Sequence, residues 1–275
     1  MKKTLIILMM VLLCAMLIIS CAKEPKVYEV TFDLNGGSGT VEAQAVEEGE
    51  KATKPAITPK SNDKYKIFSF WSVDGKTEFK FDETTITADT KLKAIYRDYE
   101  VGDKGPAGGI IFYVNSYYDA DSSDNNWMYM EVASSGTTAK YKWSTSDSVS
   151  NITTSTEVGK GKSNTNNIKN AGIDNYPAAK ACVEYNAGGY TDWFLPSKEE
   201  VGWIYTNIYL DDDISNEVKA LFPTEAYWTS SIAGNTTASN GQTYTLAHYE
   251  VCTNTNGSSS PVSTTEVKVR PVRSF

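Results

Sequence analysis

The feature that most constrains this fold is an uncharged apolar run near the N-terminus that ends at Cys21. Two lysines precede the run, and residues 17–21 (LIISC) form a lipobox in which the small Ser20 stands at the cleavage position. The apolar run has about 17 residues, the lower limit for spanning a bilayer of roughly 30 Å. We therefore predict that residues 1–20 are a signal peptide removed from the fold, rather than an uncleaved membrane helix, and that residues 21–26 are a tether acylated at Cys21.

Acylation at Cys21 predicts the lipid bilayer as a partner. Each buried methylene of an acyl chain contributes about 0.8 kcal/mol, and stable anchoring takes more than one chain, as a multiply acylated cysteine provides. Ala22, where Asp would favour retention in the inner membrane, favours sorting to the outer membrane. We expect an anchored protein of the cell envelope, at the outer membrane or cell surface.

The charge balance argues against nucleic acid as a partner. Without the two N-terminal lysines the chain has 24 basic and 34 acidic side chains, and residues 98–275 hold 12 and 21 of these. A phosphate-binding surface needs clustered Lys and Arg, and the sequence shows no such cluster. Polyanionic ligands are disfavoured for the same reason.

Length and composition predict two domains, at residues 27–97 and 98–275, of the α+β class. In the first, period-2 alternation predicts short strands at 30–34, 65–71, 79–82 and 92–96. The first of these strands stops at Asn35-Gly36-Gly37, a turn that requires positive φ.

The segments VTFDLNGGSG, GEKATKP, the strand ending in Trp71 and FKFDETTITADTKLKAIY resemble the internalin B-type repeat, also called the Listeria-Bacteroides repeat. The resemblance covers residues 27–97, although Ser69-Phe70 replaces the usual Asp/Glu-Gly before Trp71. It implies a compact β-grasp-like module, used as a spacer or in protein contacts.

In the second domain, two helices are predicted from apolar spacing and end signals. Pro177 opens the first helix, whose buried stripe includes Cys182, and Gly188-Gly189 stops it. Ser197 and Glu200 form a capping box for the second helix. The apolar stripe of this second helix consists of Val201, Ile204, Tyr205 and Ile208.

A third short helix is expected after residues 211–213, because three aspartates favour a helix N-terminus. The glycine-rich loop 102–109 lacks the Gly-Lys-Ser/Thr ending and the following helix of a phosphate loop, and it leads into a predicted strand at 110–114. Most of the remaining chain, from 227 to 273, is predicted to form strands separated by Asn, Gly and Ser loops.

The segments GDKGPAGGIIFYV, YPAAKACVEY, GGYTDWFLPSKEEV, YWTSS and VRPVRSF resemble a bacterial surface-domain family that includes the C-terminal domain of the Legionella collagen-like adhesin. The resemblance covers residues 99–275. It implies a C-type-lectin-like fold related to the formylglycine-generating-enzyme group, with sugar or protein binding. We interpret the matching residues as scaffold, namely Trp193, Leu195, Pro196, Trp228 and Arg270.

Cys182 and Cys252 are the two cysteines of the second domain. An exported compartment permits a disulfide between them, and closing a loop of about 70 residues would stabilise the fold by roughly 4 kcal/mol. The alternative is two unpaired buried thiols.

No enzyme chemistry, cofactor or metal is expected. His248 is the single histidine and lies in a predicted strand, and with two distant cysteines it cannot form a recognisable zinc site. The weak calcium candidate Asp119, Asp121 and Asp124 lacks the Gly and Glu of an EF-hand loop, so a solvated loop is favoured.

Loops rich in Tyr, Asn and Ser are suited to recognition. We therefore expect ligand contacts in the Tyr/Asn loop near residue 120 and in the loops 234–241 and 254–260. The candidate residues are Tyr117, Tyr118, Asn125, Asn126, Trp127, Asn235, Asn240, Asn254 and Asn256. The function expected is a surface binding or adhesion protein with a glycan or a host or envelope protein as ligand; the alternative is a structural or spacer protein without a dedicated ligand.

Overall fold

The computed structural model describes residues 24–123, 126–252 and 257–275. The chain divides into two compact units, with the boundary between Arg97 and Asp98. The predicted signal peptide and Cys21 lie outside the described residues. In the part of the chain that the structure describes, no helix is long and apolar enough to cross a membrane.

The first unit is built on a four-stranded mixed sheet with the order β2-β1-β4-β3. Strand β1 pairs antiparallel with β2 and parallel with β4. The strands are β1 (Val27–Asp33), β2 (Gln44–Glu47), β3 (Lys66–Ser72) and β4 (Thr90–Asp98).

Alternation along these strands places one set of side chains in a common core. Val30, Trp71 and Leu92 are buried there, and Phe32 packs edge-on against Trp71 with ring centroids 5.0 Å apart. Three of the four predicted strands are thereby confirmed. So is the turn after β1, in which Asn35 and Gly36 have φ of 49° and 81°.

The predicted strand at 79–82 is wrong. Phe79 and Phe81 are both buried, but the segment is irregular and runs into a turn. The apolar residues alternate because two aromatic rings are buried and pack edge-on, with centroids 4.9 Å apart. The segment itself is not assigned to a strand. The Phe79 amide donates to the Trp71 carbonyl at 2.7 Å, which fixes the segment against β3.

The second unit contains separate small sheets. Strands β12, β6 and β5 form one antiparallel sheet, β10, β9 and β8 form another, and β11 pairs with β7. The strands are β5 (Ile110–Val114), β6 (Tyr129–Val132), β7 (Tyr141–Lys142), β8 (Ala226–Thr237), β9 (Thr243–Val251), β10 (Ser258–Pro261), β11 (Glu266–Val267) and β12 (Val272–Ser274).

Helices cover the remaining regular segments of the second unit, and the described chain as a whole is compatible with the predicted α+β class. They are α1 (Gly161–Asn170), a 3-10 turn (Ile173–Asn175), α2 (Pro177–Val183), α3 (Lys198–Ile204), a π-helical turn (Tyr205–Tyr209) and α4 (Asn216–Lys219).

The second predicted helix begins where its capping box places it. The Ser197 hydroxyl accepts from the Glu200 amide at 3.3 Å, and the Glu200 carboxylate accepts from the Ser197 amide at 2.8 Å. The same carboxylate also accepts from the amides of Gly159 and Gly161, at 2.9 and 3.0 Å. Burial raises the pKa of Glu200 to about 7, although these amide groups favour the charged form. Glu200 therefore fastens the start of α3 to the start of α1.

One of the helices was not expected from the sequence. Helix α1 was not predicted, because its sequence GKSNTNNIKN has a single large apolar residue, Ile168. It is held instead by Asn164, whose side chain bonds to the backbone of Ser155 and to the Ser230 hydroxyl. The short helix expected after the aspartates at 211–213 is present as α4, which begins at Asn216 with Ser215 as its N-cap.

Removing the carboxylate of Glu200 tests the clasp between α1 and α3. Glu200→Ala leaves buried amides without an acceptor, so we expect the free energy of unfolding to fall by about 3 kcal/mol. Glu199→Ala is the matched control, because Glu199 is exposed and favours the helix only through its dipole, by less than about 1 kcal/mol. Urea unfolding followed by circular dichroism measures both, and equal losses would contradict the clasp.

Candidate functional site

The glycine-rich loop of the second unit surrounds a carboxylate of the protein itself. The amides of Ala107 and Gly109 donate to the two carboxylate oxygens of Glu131 at 3.2 and 3.0 Å. A Cβ atom at Gly105 would collide with the same carboxylate. The glycines thus allow close approach to an internal anion, and the loop leads into β5 as predicted.

Arg273 completes this arrangement as a buried cation. Its guanidinium donates to Glu131 at 2.6 Å and to both oxygens of Asp192 at 2.7 and 3.0 Å. The ring of Tyr190 lies 4.1 Å from the guanidinium carbon. Because the buried Glu131 carboxylate is satisfied by Arg273 and by two loop amides, we assign this cluster to the scaffold.

The two cysteines of the second unit are free, buried thiols, and the disulfide is not formed. Cys182 lies in one hydrophobic cluster with Trp228, while Cys252 lies in another with Tyr227. Each side chain is therefore one of the apolar groups of its own core, the alternative that the sequence left open. Burial raises the pKa of both thiols, for Cys252 to about 12, which keeps them protonated and poorly nucleophilic.

The predicted recognition loop near residue 120 is only partly available. Tyr117 is 78% exposed, Tyr118 is half-buried and Asn126 is exposed. The expectation for Trp127 is wrong, because its side chain is 8% exposed and packs in the core against Tyr113 at 5.9 Å. Asn125 lies outside the described residues.

The loop predicted at 234–241 is largely a β-hairpin. Asn235 belongs to β8, and its side-chain oxygen accepts from the Thr245 hydroxyl at 3.0 Å. Asn240 lies in the turn, where its side chain accepts from the Gln242 amide at 2.9 Å. The prediction of a loop over these residues is wrong, because the Asn- and Thr-rich strand ends are exposed and so have the polar composition of a loop. Asn254 and Asn256 lie outside the described residues.

The weak calcium candidate is not assembled by the described residues. Asp119 and Asp121 are exposed, and the Asp119 carboxylate accepts from the Asp121 amide at 3.0 Å. This local bond is typical of a solvated turn. Asp124 lies outside the described residues, and within the described ranges no three acidic, His or Cys side chains are grouped to hold a metal.

A groove that the sequence did not indicate lies between the α3 region and β9. It has a volume of about 660 Å³. Helix α3 and the following π-helical turn form one wall, and the end of β9 forms the other. The lining residues are Lys198, Glu199, Gly202, Trp203, Tyr205, Thr206, Leu210, Glu250, Val251 and Gly257.

Large apolar side chains are exposed in this groove and beside it. Trp203, Tyr209 and Leu210 are 37%, 41% and 54% exposed. Trp203 is held edge-on by Tyr113 at 5.4 Å, and Tyr205 stacks on Tyr209 at 5.9 Å. The rings are thus positioned by one another while part of each stays accessible.

The π-helical turn that follows α3 begins at Tyr205, one of the rings that line the groove. Val201, Ile204 and Ile208 are buried as predicted, but Tyr205, expected in the same stripe, is only half-buried and lines the groove. A π turn adds a residue to the helical repeat, which rotates the following side chains, and such turns are frequent at functional sites.

Glu250 forms the polar part of the groove. It comes from β9, where its Oε1 atom is buried and has no hydrogen-bond partner among the described residues. Burial raises the pKa of Glu250, an effect that the positive charge of Lys198 opposes. A side chain on Gly257 would collide with this carboxylate, so the glycine leaves room for it.

His248, two residues before Glu250 in β9, is a half-buried strand residue, and its carbonyl accepts from the Thr229 hydroxyl at 3.0 Å. Burial lowers the pKa of its imidazole, with a smaller contribution from Lys198.

Comparison with known proteins assigns a family to the first unit. Residues 28–95 match the family model of the Listeria-Bacteroides repeat domain. The predicted resemblance of this segment is therefore confirmed. No curated protein matches the chain.

Replacing Arg273 by an uncharged residue tests whether burial of the Glu131 carboxylate depends on the cation. Arg273→Met leaves the carboxylate of Glu131, whose side chain has no exposed surface, without its cation. We expect a loss of about 3–5 kcal/mol in the free energy of unfolding. The control is Lys268→Met, which breaks the partly exposed 2.6 Å pair with Glu225 and should cost no more than about 1 kcal/mol. Denaturant unfolding measures both, and similar small losses would contradict the scaffold role.

Proposed function

We propose that this chain is a non-catalytic binding protein of the cell envelope, anchored through acylated Cys21 after removal of residues 1–20. The second unit binds a glycan or a protein in the groove between α3 and β9. The observation that carries the proposal is the combination, in one groove, of exposed aromatic rings and a carboxylate oxygen without a partner among the described residues.

The apolar wall supports a binding role. Single exposed apolar residues are ordinary on protein surfaces, whereas contiguous apolar patches mark interaction sites. Trp203, Tyr205, Tyr209 and Leu210 lie within eight consecutive residues, and the three rings are held in place by ring contacts. Rigid aromatic side chains supply contact area at a low entropy cost, which favours recognition.

The proposed architecture assigns a role to each unit. Residues 27–97 are a β-grasp-like spacer, supported by the repeat match and by the mixed sheet whose central strands are parallel. Residues 98–275 are a C-type-lectin-like domain, supported by the sequence motifs and by the small sheets flanked by short helices. Ala22 rather than Asp after the acylated cysteine of the tether at 21–26 supports a location at the outer membrane or cell surface.

The non-catalytic part of the proposal rests on the surroundings of the reactive groups. Cys182 and Cys252 are buried in apolar clusters that hold them protonated. His248 lies in a strand, with Lys198 as the charged group that affects it. A nucleophile needs a positioned base and access for substrate, and neither cysteine has an exposed surface.

The anchor is tested by replacing the cysteine of the lipobox. We expect Cys21→Ser to abolish incorporation of labelled palmitate and to stop processing of the precursor, because acylation requires the thiol. Cys14→Ser is the control, since Cys14 lies within the predicted signal and should leave labelling unchanged. Labelling that persists in Cys21→Ser would contradict the lipoprotein assignment.

The groove is tested by screening glycans and envelope or host-matrix proteins for saturable binding. We expect Trp203→Ala to weaken the binding that is found by about thirtyfold, the loss typical of a central aromatic contact. Tyr117→Ala is the control, because this exposed tyrosine lies outside the groove. The opposite ranking would move the site to the loop near residue 120, and co-purification with envelope components without saturable binding would favour the structural spacer.

A further inference from the structure

Glu250 gives the groove a chemical preference that its shape alone does not. The buried Oε1 atom has no partner in the described ranges, and a buried acceptor left unpaired is costly. A ligand that brings a hydrogen-bond donor to this atom recovers that cost. Both carboxylate oxygens lie against Gly257, where a side chain would collide with them.

The other lining groups favour a ligand whose hydrogen-bond donor stands at the end of an apolar chain. Trp203, Leu210 and Val251 present carbon surface on the way to Glu250. Lysine and arginine have such a stem, because their methylene groups lie along apolar surface while the charged end reaches a polar group. Their cations are also attracted to the faces of Trp and Tyr rings.

Charge favours a cation over a neutral donor. The groove lining has one cation, Lys198, and two carboxylates, Glu199 and Glu250, so its net charge is negative even though Lys198 acts on Glu250. The unit as a whole has 12 basic and 21 acidic side chains, so a basic partner is attracted from a distance.

We infer that the groove is a docking site for a protein partner that inserts a lysine or arginine side chain, with its cation on Glu250 and its stem against Trp203 and Leu210. The inference rests on the proposed function and names its ligand class. A protein partner fits better than a small amine, because Tyr209 and Leu210 extend the apolar surface beyond the lining around Glu250.

The test uses fluorescein-labelled Gly/Ser/Leu peptides with one central residue: lysine, arginine, acetyl-lysine or norleucine. Binding to the full-length, detergent-solubilised protein is followed by fluorescence anisotropy. We expect the lysine or arginine peptide to bind at least about tenfold tighter than acetyl-lysine and norleucine, since only the first two place a cation on Glu250. This comparison needs no variant of the protein and so does not depend on a variant's folding.

Variants then assign the effect to named residues. Glu250→Gln keeps the size of the side chain and should reduce the affinity for the cationic peptides about tenfold, so that they no longer exceed the neutral ones. Glu184→Gln is the matched control, because this exposed glutamate lies outside the groove lining, and it should change affinity less than about threefold. Thermal unfolding checks that both variants keep the fold.

Several results would overturn the inference. Equal binding of all four peptides, no binding at millimolar concentration, or an unchanged preference in Glu250→Gln each removes the cation site. Displacement of the lysine peptide by equally low concentrations of glucosamine would assign Glu250 to an amino sugar instead. If the cation site is ruled out but Trp203→Ala still weakens binding of the ligand found by screening, the proposed function stands without it. If Trp203→Ala changes the binding of no ligand, both proposals are wrong.

Discussion

The second unit depends on one buried charge cluster, the carboxylate of Glu131 with the guanidinium of Arg273. Glu131 lies in β6 and Arg273 in β12, so their 2.6 Å contact bridges two paired strands near the end of the chain. The amides of the glycine-rich loop and the carboxylate of Asp192 add contacts from two further segments. A buried charge is tolerated only when its hydrogen bonds are satisfied, so each of these four segments must be in place for the others to be stable.

This cluster also gives the glycine-rich loop a physical explanation. Backbone amides that converge on an anion are typical of phosphate-binding loops. Here the same arrangement receives a carboxylate from the neighbouring strand. Gly105 cannot carry a side chain, because its Cβ atom would collide with Glu131. The sequence shows the absence of a phosphate-loop ending, but the identity of the internal anion depends on β6, which lies more than twenty residues further along.

Elements specified by local contacts were predictable. The turn at Asn35-Gly36 was predictable because Asn and Gly readily adopt the positive φ that it requires. The capping box was predictable from the spacing of Ser197 and Glu200. Elements specified by distant contacts were not. Helix α1 depends on Asn164 reaching Ser230, and the segment at 79–82 shows strand-like alternation only because Phe79 and Phe81 fill one core.

The candidate site escaped prediction for the same reason. Trp203 and Leu210 lie outside the predicted apolar stripe of α3, and an excess of large apolar residues beside a filled stripe is the one signal that the sequence offered. Glu250 is some forty residues further along, and nothing in β9 indicates that its carboxylate meets this helix. Composition pointed instead to Trp127, which is a core residue, and to Asn235, which is a strand residue.

The two ends of α3 therefore differ in how well their polar and apolar groups are satisfied. At its start, Ser197 and Glu200 satisfy one another and the amides of α1, so the helix is firmly placed. Near its end, Trp203 is partly exposed, and the π turn that follows leads to the exposed Leu210. This region lies across the groove from a carboxylate oxygen unpaired within the described chain. Natural sequences are locally consistent except where function requires otherwise. A local conflict next to a rigid, satisfied anchor is the arrangement expected of a binding site, because the anchor holds the unsatisfied groups in position for a ligand.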